Sequence, residues 1–365
     1  MGNLQKVYQE LENMVSSQLQ WNGRRETFHT LIHFLLGVLL SRDVRLGRIA
    51  SKSGLVMKIE SVEQRYRRWL SNPKIKAKTI VDPVAKKLLF QRKKKRIRLQ
   101  IDRTIVKGKF NVLMVTLSYR GRALPLVWTV LPHTGSCSQK DWQPLLKRVD
   151  KLLSRRTTVI LLGDREFGTA NLMRFCRQQG WYYVLRVKRT YTAANPHQGF
   201  PLYWMPLASL LPFRNMPRWI EDWLYIQDEF VRTNLALTCA PDSDDPWLLV
   251  TNLASARQAI HEYNRRFGCE ELFSDLKARG FDIEKTQLRH SPRFDRLLIV
   301  VALLCFWLAG VARRLFVTRQ VDDLLQPSHR NRYSYFQIAY RWLEQQILHG
   351  RSCIPDPQYV FGLLV

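Results

Sequence analysis

The sequence predicts a mixed α/β protein with a helical N-terminal part and a β-rich insertion. Three observations carry that reading. Residues 1–92 show no strand alternation, residues 97–187 interleave short strand patterns with helical ones, and prolines interrupt residues 191–246. At 365 residues the chain is long enough for two or three structural units, one with a sizeable core.

Charge narrows the partners before any motif is read. Lys and Arg number 58 against 30 Asp and Glu, a formal net charge of +28. Such a surplus repels itself unless a polyanion neutralises it, so DNA, RNA or an acidic membrane surface is expected. A metabolic enzyme for small acids does not need it. The six cysteines form no CxxC pair, which excludes zinc-ribbon and zinc-finger spacing and fits a reducing interior. The polar start Met1–Lys6 does not read as a signal peptide. The apolar runs Thr30–Leu40 and Leu297–Ala312 read as buried helices, the second falling short of the ~20 residues that cross a bilayer. A soluble, intracellular protein is expected.

Taken in order, the N-terminal part sets Leu46, Ile49 and Ala50 on one segment and Val62, Tyr66 and Trp69 on the next, either side of Gly54. Two short amphipathic helices joined by a turn suit a helix-turn-helix, and they equally suit an ordinary helical bundle. The basic run Arg92–Arg96 leads into Ile97, Leu99 and Ile101, which alternate with Arg98, Gln100 and Asp102 as in a half-buried strand. Further strands are expected over Phe110–Tyr119 and Ala123–Leu131, then a helix over Asp141–Leu153. The unbroken aliphatic run Thr157–Leu162 reads as a central strand covered on both faces. A helix near Gly168–Gln178 and a strand over Tyr182–Val187 follow. Three antiparallel strands, a helix, then strand–helix–strand is the order of a ribonuclease-H-like core.

Residues 191–246 carry seven prolines and Trp204, Trp219 and Trp223, and are expected to form a β-rich insertion subdomain. The core then resumes: a strand over Trp247–Thr251, and one long helix, Ser255–Gly280, without internal proline. The domain plan is a helical DNA-binding part at 1–92, a core at 93–190 and 247–320, the insertion at 191–246 and a helical C-terminal region at 321–365.

Two acids sit where chemistry gathers in α/β sheets. Asp102 lies on the polar side of its strand, and Asp164 lies at the carboxyl end of another. Were those strands neighbours, the two anions would repel unless a cation lay between them, and a hard, oxygen-liganded Mg²⁺ or Mn²⁺ suits that place. Asp164 as a simple helix cap is the competing reading. On the long helix, at ~100° per residue, Tyr263 at zero puts Arg266 at about −60°, Glu270 at about −20° and Lys277 at about −40°. Glu262 and Glu271 point elsewhere. An acid among two cations and a phenol suits a metal ligand flanked by phosphate contacts, and a solvated ion-pair stripe would show the same spacing.

Tyr263, Arg266, Glu270 and Lys277 at these intervals resemble the tyrosine–arginine–glutamate–lysine signature of bacterial insertion-sequence transposases with a DDE triad. Gly163-Asp164-Arg165-Glu166-Phe167 is similar to that family's Asp-Arg-Glu motif, and Ile101-Asp102 before a basic hairpin fits its first aspartate. Trp247–Asn252, Leu288–Ser291, Arg293–Asp295 and Trp307–Gly310 extend the resemblance over roughly residues 97–312. It implies two divalent ions held by Asp102, Asp164 and Glu270, DNA phosphates held by Tyr263, Arg266 and Lys277, and Trp247 stacking on a flipped base during hairpin formation. It further implies cut-and-paste strand transfer at terminal inverted repeats, by a homodimer on paired ends in the bacterial cytoplasm at the nucleoid, with no membrane partner. Trp247 as a packing residue remains an alternative. So do a metal-dependent nuclease without strand transfer and a domesticated DNA-binding protein that has lost catalysis.

Overall fold

The computed structural model describes residues 3–351 except 20, 22, 91–95, 214–215, 226–229, 240–244 and 350. Most of the basic run Arg92–Arg96 therefore lies outside the described residues, as does the C-terminal stretch 352–365.

Five helices come first: α1 (Asn3–Gln18), α2 (Arg25–Ser41), α3 (Leu46–Ser51), α4 (Ile59–Ser71) and α5 (Ala77–Phe90). Helices α3 and α4 bury Leu46, Ile49 and Ala50, and Val62, Tyr66 and Trp69, the residues their spacing put on one face. Gly54 between them takes a positive φ of 72°, which glycine adopts without a Cβ clash.

The meander β1 (Ile97–Val106), β2 (Phe110–Tyr119) and β3 (Arg122–Leu131) leads to α6 (Gln139–Asp150), β4 (Val159–Gly163), α7 (Ala170–Gln178) and β5 (Tyr182–Arg186). Strands β1, β2 and β3 pair antiparallel, whereas β4 lies parallel to both β1 and β5. All five residues of β4 are buried, as its aliphatic run requires. The next strands are β6 (Thr192–Ala194), β7 (Trp204–Pro206), β8 (Arg218–Tyr225), β9 (Val231–Thr238) and β10 (Trp247–Thr251). They continue the same sheet, because β10 pairs with β5 on one side and β9 on the other. The result is one mixed ten-stranded sheet in the order β3-β2-β1-β4-β5-β10-β9-β8-β6-β7.

Where one long helix was expected after β10, the chain forms three kinds of turn. Helix α8 (Ala256–Tyr263) passes into a 3-10 turn (Asn264–Arg266), then α9 (Phe267–Ser274), then a π-helical turn (Asp275–Arg279). Side chains from β1 hold this path. Gln100 donates its Nε2 to the Arg265 carbonyl at 2.5 Å, and Arg98 forms an ion pair with Glu262, its Nη2 2.8 Å from Oε1. That explains why Gln100, on the polar side of an alternating strand, is fully buried: its Oε1 also accepts from Thr116.

The chain ends in α10 (Ser291–Val317), α11 (Val321–Leu324) and α12 (Tyr335–Leu348). Helix α10 runs 27 residues, so the length argument against a membrane span does not hold. Burial decides instead. Its residues from Leu297 to Ala312 are buried, packed among α2, α4, α5, β3 and α12. It joins the N-terminal helices and the sheet in one core, while a smaller cluster on the other face sets Ile160, Leu162, Val184 and Leu249 under Ala259 and Tyr263 of α8.

Candidate active site

The parallel ladder of β1 and β4 ends at the pair Ile101 and Gly163, and Asp102 and Asp164 follow immediately in the two segments. Their strands are neighbours. Gly163 has no room for a side chain, since a Cβ there would come within 2.9 Å of Phe167 Cβ and Leu185 Cδ2. The chain can therefore fold tightly into the 3-10 turn Arg165–Phe167, which Asp164 caps by accepting from the Arg165 amide at 2.6 Å. The cap engages one carboxylate oxygen.

Asp102 has a parallel arrangement. Its Oδ1 accepts from the Arg103 amide at 2.7 Å and its Oδ2 from Arg266 Nη1 at 3.4 Å. Burial raises its pKa to about 6; the Arg103 amide and Arg266 pull it down, and the charges of Asp164 and Glu270 push it further up. The charges of Asp164 and Glu270 therefore both bear on Asp102.

Arg266 organises the third acid. Its guanidinium is 5% exposed, donates Nη2 to Glu270 Oε1 at 2.5 Å and donates Nε to the Tyr263 hydroxyl at 3.1 Å. Its Cζ lies 5.4 Å from the Tyr263 ring centre and 5.3 Å from that of Phe267. Tyr263 is fully buried, and burial holds its proton above the usual phenol range. Trp247, at the start of β10 and partly buried, meets the Tyr263 ring edge-on at 5.0 Å and lies 6.1 Å from Phe267.

Lys277 stands apart from this group. Its Nζ donates to the Ile105 carbonyl at 2.8 Å and forms an ion pair with Glu284 at 3.1 Å. Ile105 lies three residues beyond Asp102, ~10 Å along a strand. The π-helical turn that carries Lys277 breaks the regular 100° step, so the fourth residue leaves the stripe shared by the other three.

One buried basic side chain was missed by sequence reasoning. Arg186 is buried and donates to the Pro246 carbonyl at 2.9 Å, and with Arg165 it ion-pairs Asp245. Arg165 and Asp245 are too far apart in sequence for any local pattern to link them.

Among the described residues no three His, Cys, Asp or Glu side chains are placed close enough to hold a metal ion. Arg266 stands between Asp102 and Glu270. The donor chemistry nevertheless suits a hard divalent cation: a buried aspartate, Asp102, on which the charges of Asp164 and Glu270 bear, with one oxygen of each aspartate already oriented by a backbone amide. Glu270, half-exposed, can turn from Arg266 toward an ion by side-chain rotation.

A family model described as a transposase DDE domain matches residues 101–307. The chain belongs to this family. No curated protein matches it. The matched span begins one residue before Asp102 and takes in Asp164, Trp247, Tyr263, Arg266, Glu270 and Lys277. Membership makes the chain a DDE transposase, and DNA its substrate.

Proposed function

We propose that this transposase cleaves DNA at the terminal inverted repeats of its own insertion sequence and joins the ends to a target, using Asp102, Asp164 and Glu270 as its catalytic acids. The observation that carries the reading is that one buried arginine, Arg266, pairs with both Asp102 of β1 and Glu270 of α9, while Asp164 follows β4 on the strand neighbouring β1. A ribonuclease-H-like core fits the strand order β3-β2-β1-β4-β5 with its antiparallel meander and parallel crossover. The Tyr263, Arg266 and Glu270 contacts support placement in the tyrosine–arginine–glutamate–lysine group.

Asp102, Asp164 and Glu270 would hold two divalent ions, Mg²⁺ or Mn²⁺. When bound, such ions supply an activated water or 3′-hydroxyl and stabilise the leaving oxygen of phosphoryl transfer. The chain's own residues do the rest. The amides of Arg103 and Arg165 orient the two aspartates, and Arg266 fixes Tyr263 and α9 against β1. Lys277 would contact a phosphate of the transposon end as a point charge, while Arg266, 5% exposed and held by Asp102, Glu270 and Tyr263, would hold the acids in place. Helices α3 and α4 would bind end DNA as a helix-turn-helix, and two copies would pair two ends. Trp247 would stack on an unpaired base if the ends pass through a hairpin.

The test uses purified protein, duplexes containing the DNA that flanks its gene, and Mg²⁺. Expected are breaks at the borders of inverted repeats and joined products with a second duplex, both abolished in Asp102→Asn, Asp164→Asn and Glu270→Gln while end binding survives. Breaks without joining would identify a plain nuclease. Binding without breaks would identify a silent DNA-binding protein.

A further inference from the structure

The last acid of the Asp164–Glu166 motif has no part in the chemistry above, yet three hydrogen bonds hold its carboxylate beside the site. Arg103 donates Nε to both Oε1 and Oε2 of Glu166 at 3.0 Å, and the Cys137 amide donates to Oε1 at 2.5 Å. The same guanidinium donates Nη1 to Asn111 Oδ1 at 3.2 Å. Asn111 is fully buried and passes the contact on, donating Nδ2 to the carbonyls of His133 at 2.8 Å and Gly135 at 3.1 Å. The Arg103 and Glu166 side chains are only 19% and 21% exposed, so solvent screens the pair weakly.

Position gives this network its meaning. Arg103 follows Asp102, and its own amide holds Asp102 Oδ1. Glu166 lies in the 3-10 turn whose first amide, that of Arg165, holds Asp164 Oδ1. The backbone ladder between the two strands stops at Ile101 and Gly163. Beyond that point the Arg103–Glu166 ion pair joins the two peptide segments that aim the two aspartates. Residues that orient metal-holding carboxylates from behind tune affinity without touching the ion.

We propose that Arg103 and Glu166 are positioning residues: their clasp fixes the separation and aim of Asp102 and Asp164 and so sets the affinity of the site for a divalent cation. This rests on the reading of those aspartates as the metal-holding pair. The arginine matters because it serves two partners at once, Nε on both oxygens of Glu166 and Nη1 on Asn111, and a lysine has one nitrogen for both.

The experiment titrates Mn²⁺ into the full chain, without DNA, and counts free ion by electron paramagnetic resonance, with thermal melting alongside. Wild type should bind Mn²⁺ and Asp102→Asn should not. Glu166→Gln keeps the shape and an acceptor for the Cys137 amide, and should weaken Mn²⁺ binding by about tenfold with the melting temperature nearly unchanged. Arg103→Lys keeps the charge but loses the second nitrogen that holds Asn111, and should fall between wild type and Glu166→Gln. A wild-type chain that binds no Mn²⁺ overturns the reading of the site and the clasp with it. Binding that Asp102→Asn abolishes but Glu166→Gln and Arg103→Lys leave intact overturns the clasp alone. So does an affinity that falls only in step with melting temperature across both variants, which would make the pair a plain structural tie.

Discussion

Arg266 spans one turn of helix to donate to Glu270 at 2.5 Å, and the same guanidinium reaches Asp102 on β1 at 3.4 Å. A buried cation thus holds two acids of the candidate triad together from the side. Replacing it with lysine keeps the charge but leaves a single donor point for three partners. Arg266→Lys should therefore cost at least tenfold in end cleavage while end binding changes little. Cleavage assays and gel-shift titration on the same preparation measure both, and equal loss in the two would mark Arg266 as an ordinary DNA contact.

Asp102 gives the protein a definite pH signature. Its folded pKa, raised to about 6 first by burial, exceeds the ordinary aspartate value of 3.8, so the folded state binds its proton more tightly than the unfolded state. Its contribution to stability is therefore fully present below about pH 4 and is lost as pH rises through 6. Asp102→Asn cannot lose a proton and should remove that part of the slope. Melting curves of wild type and variant between pH 4 and 7 should converge at the acid end and separate toward neutrality, with the variant the more stable. A constant offset across the range would contradict the assignment.

Trp247 leans edge-on against Tyr263 and near Phe267 while remaining partly exposed, so it both covers a buried phenol and presents an aromatic face. A stacking role predicts that Trp247→Ala leaves first-strand nicking nearly intact and impairs hairpin formation on pre-nicked ends by ~1–3 kcal/mol. Packing alone predicts a lower melting temperature and uniform loss, approaching the ~3–5 kcal/mol of a fully buried tryptophan. Melting and the two-step assay distinguish them.

Lys277 is held by Glu284 and by the Ile105 carbonyl. To contact a phosphate it must exchange one anion for another, which Glu284 opposes. Lys277→Ala should lower the salt dependence of end binding by about one unit. Glu284→Gln should strengthen binding, because the lysine is then released. Binding titrations across a salt series check both, and no change in either variant would leave Lys277 a structural tie between the π-helical turn and β1.

The order of β1, β2, β3, α6, β4, α7 and β5 was legible because side-chain periodicity records which face meets an apolar medium. Ile97, Leu99 and Ile101 alternate, and Val159–Leu162 do not. The net charge of +28 pointed to a polyanion for an equally direct reason. Asp102 stood out on the polar side of an alternating strand, and Asp164 at the carboxyl end of an aliphatic one, where ligands gather in α/β sheets.

What the tertiary structure decided are the polar contacts between segments distant in sequence. Periodicity marked Gln100 as polar-facing but could not show that the Arg265 carbonyl would cover it, nor that Arg98 would anchor Glu262. A uniform helical step placed Lys277 beside Glu270, whereas the 3-10 and π-helical turns change that step and direct it to Glu284. Counting an apolar run could not tell a core helix from a span; only the helices and sheet packed around α10 do. Local pattern determines which residues face inward, because that depends on backbone geometry alone. Which charge meets which carboxylate depends on chain segments meeting in three dimensions, and no window of sequence contains both partners.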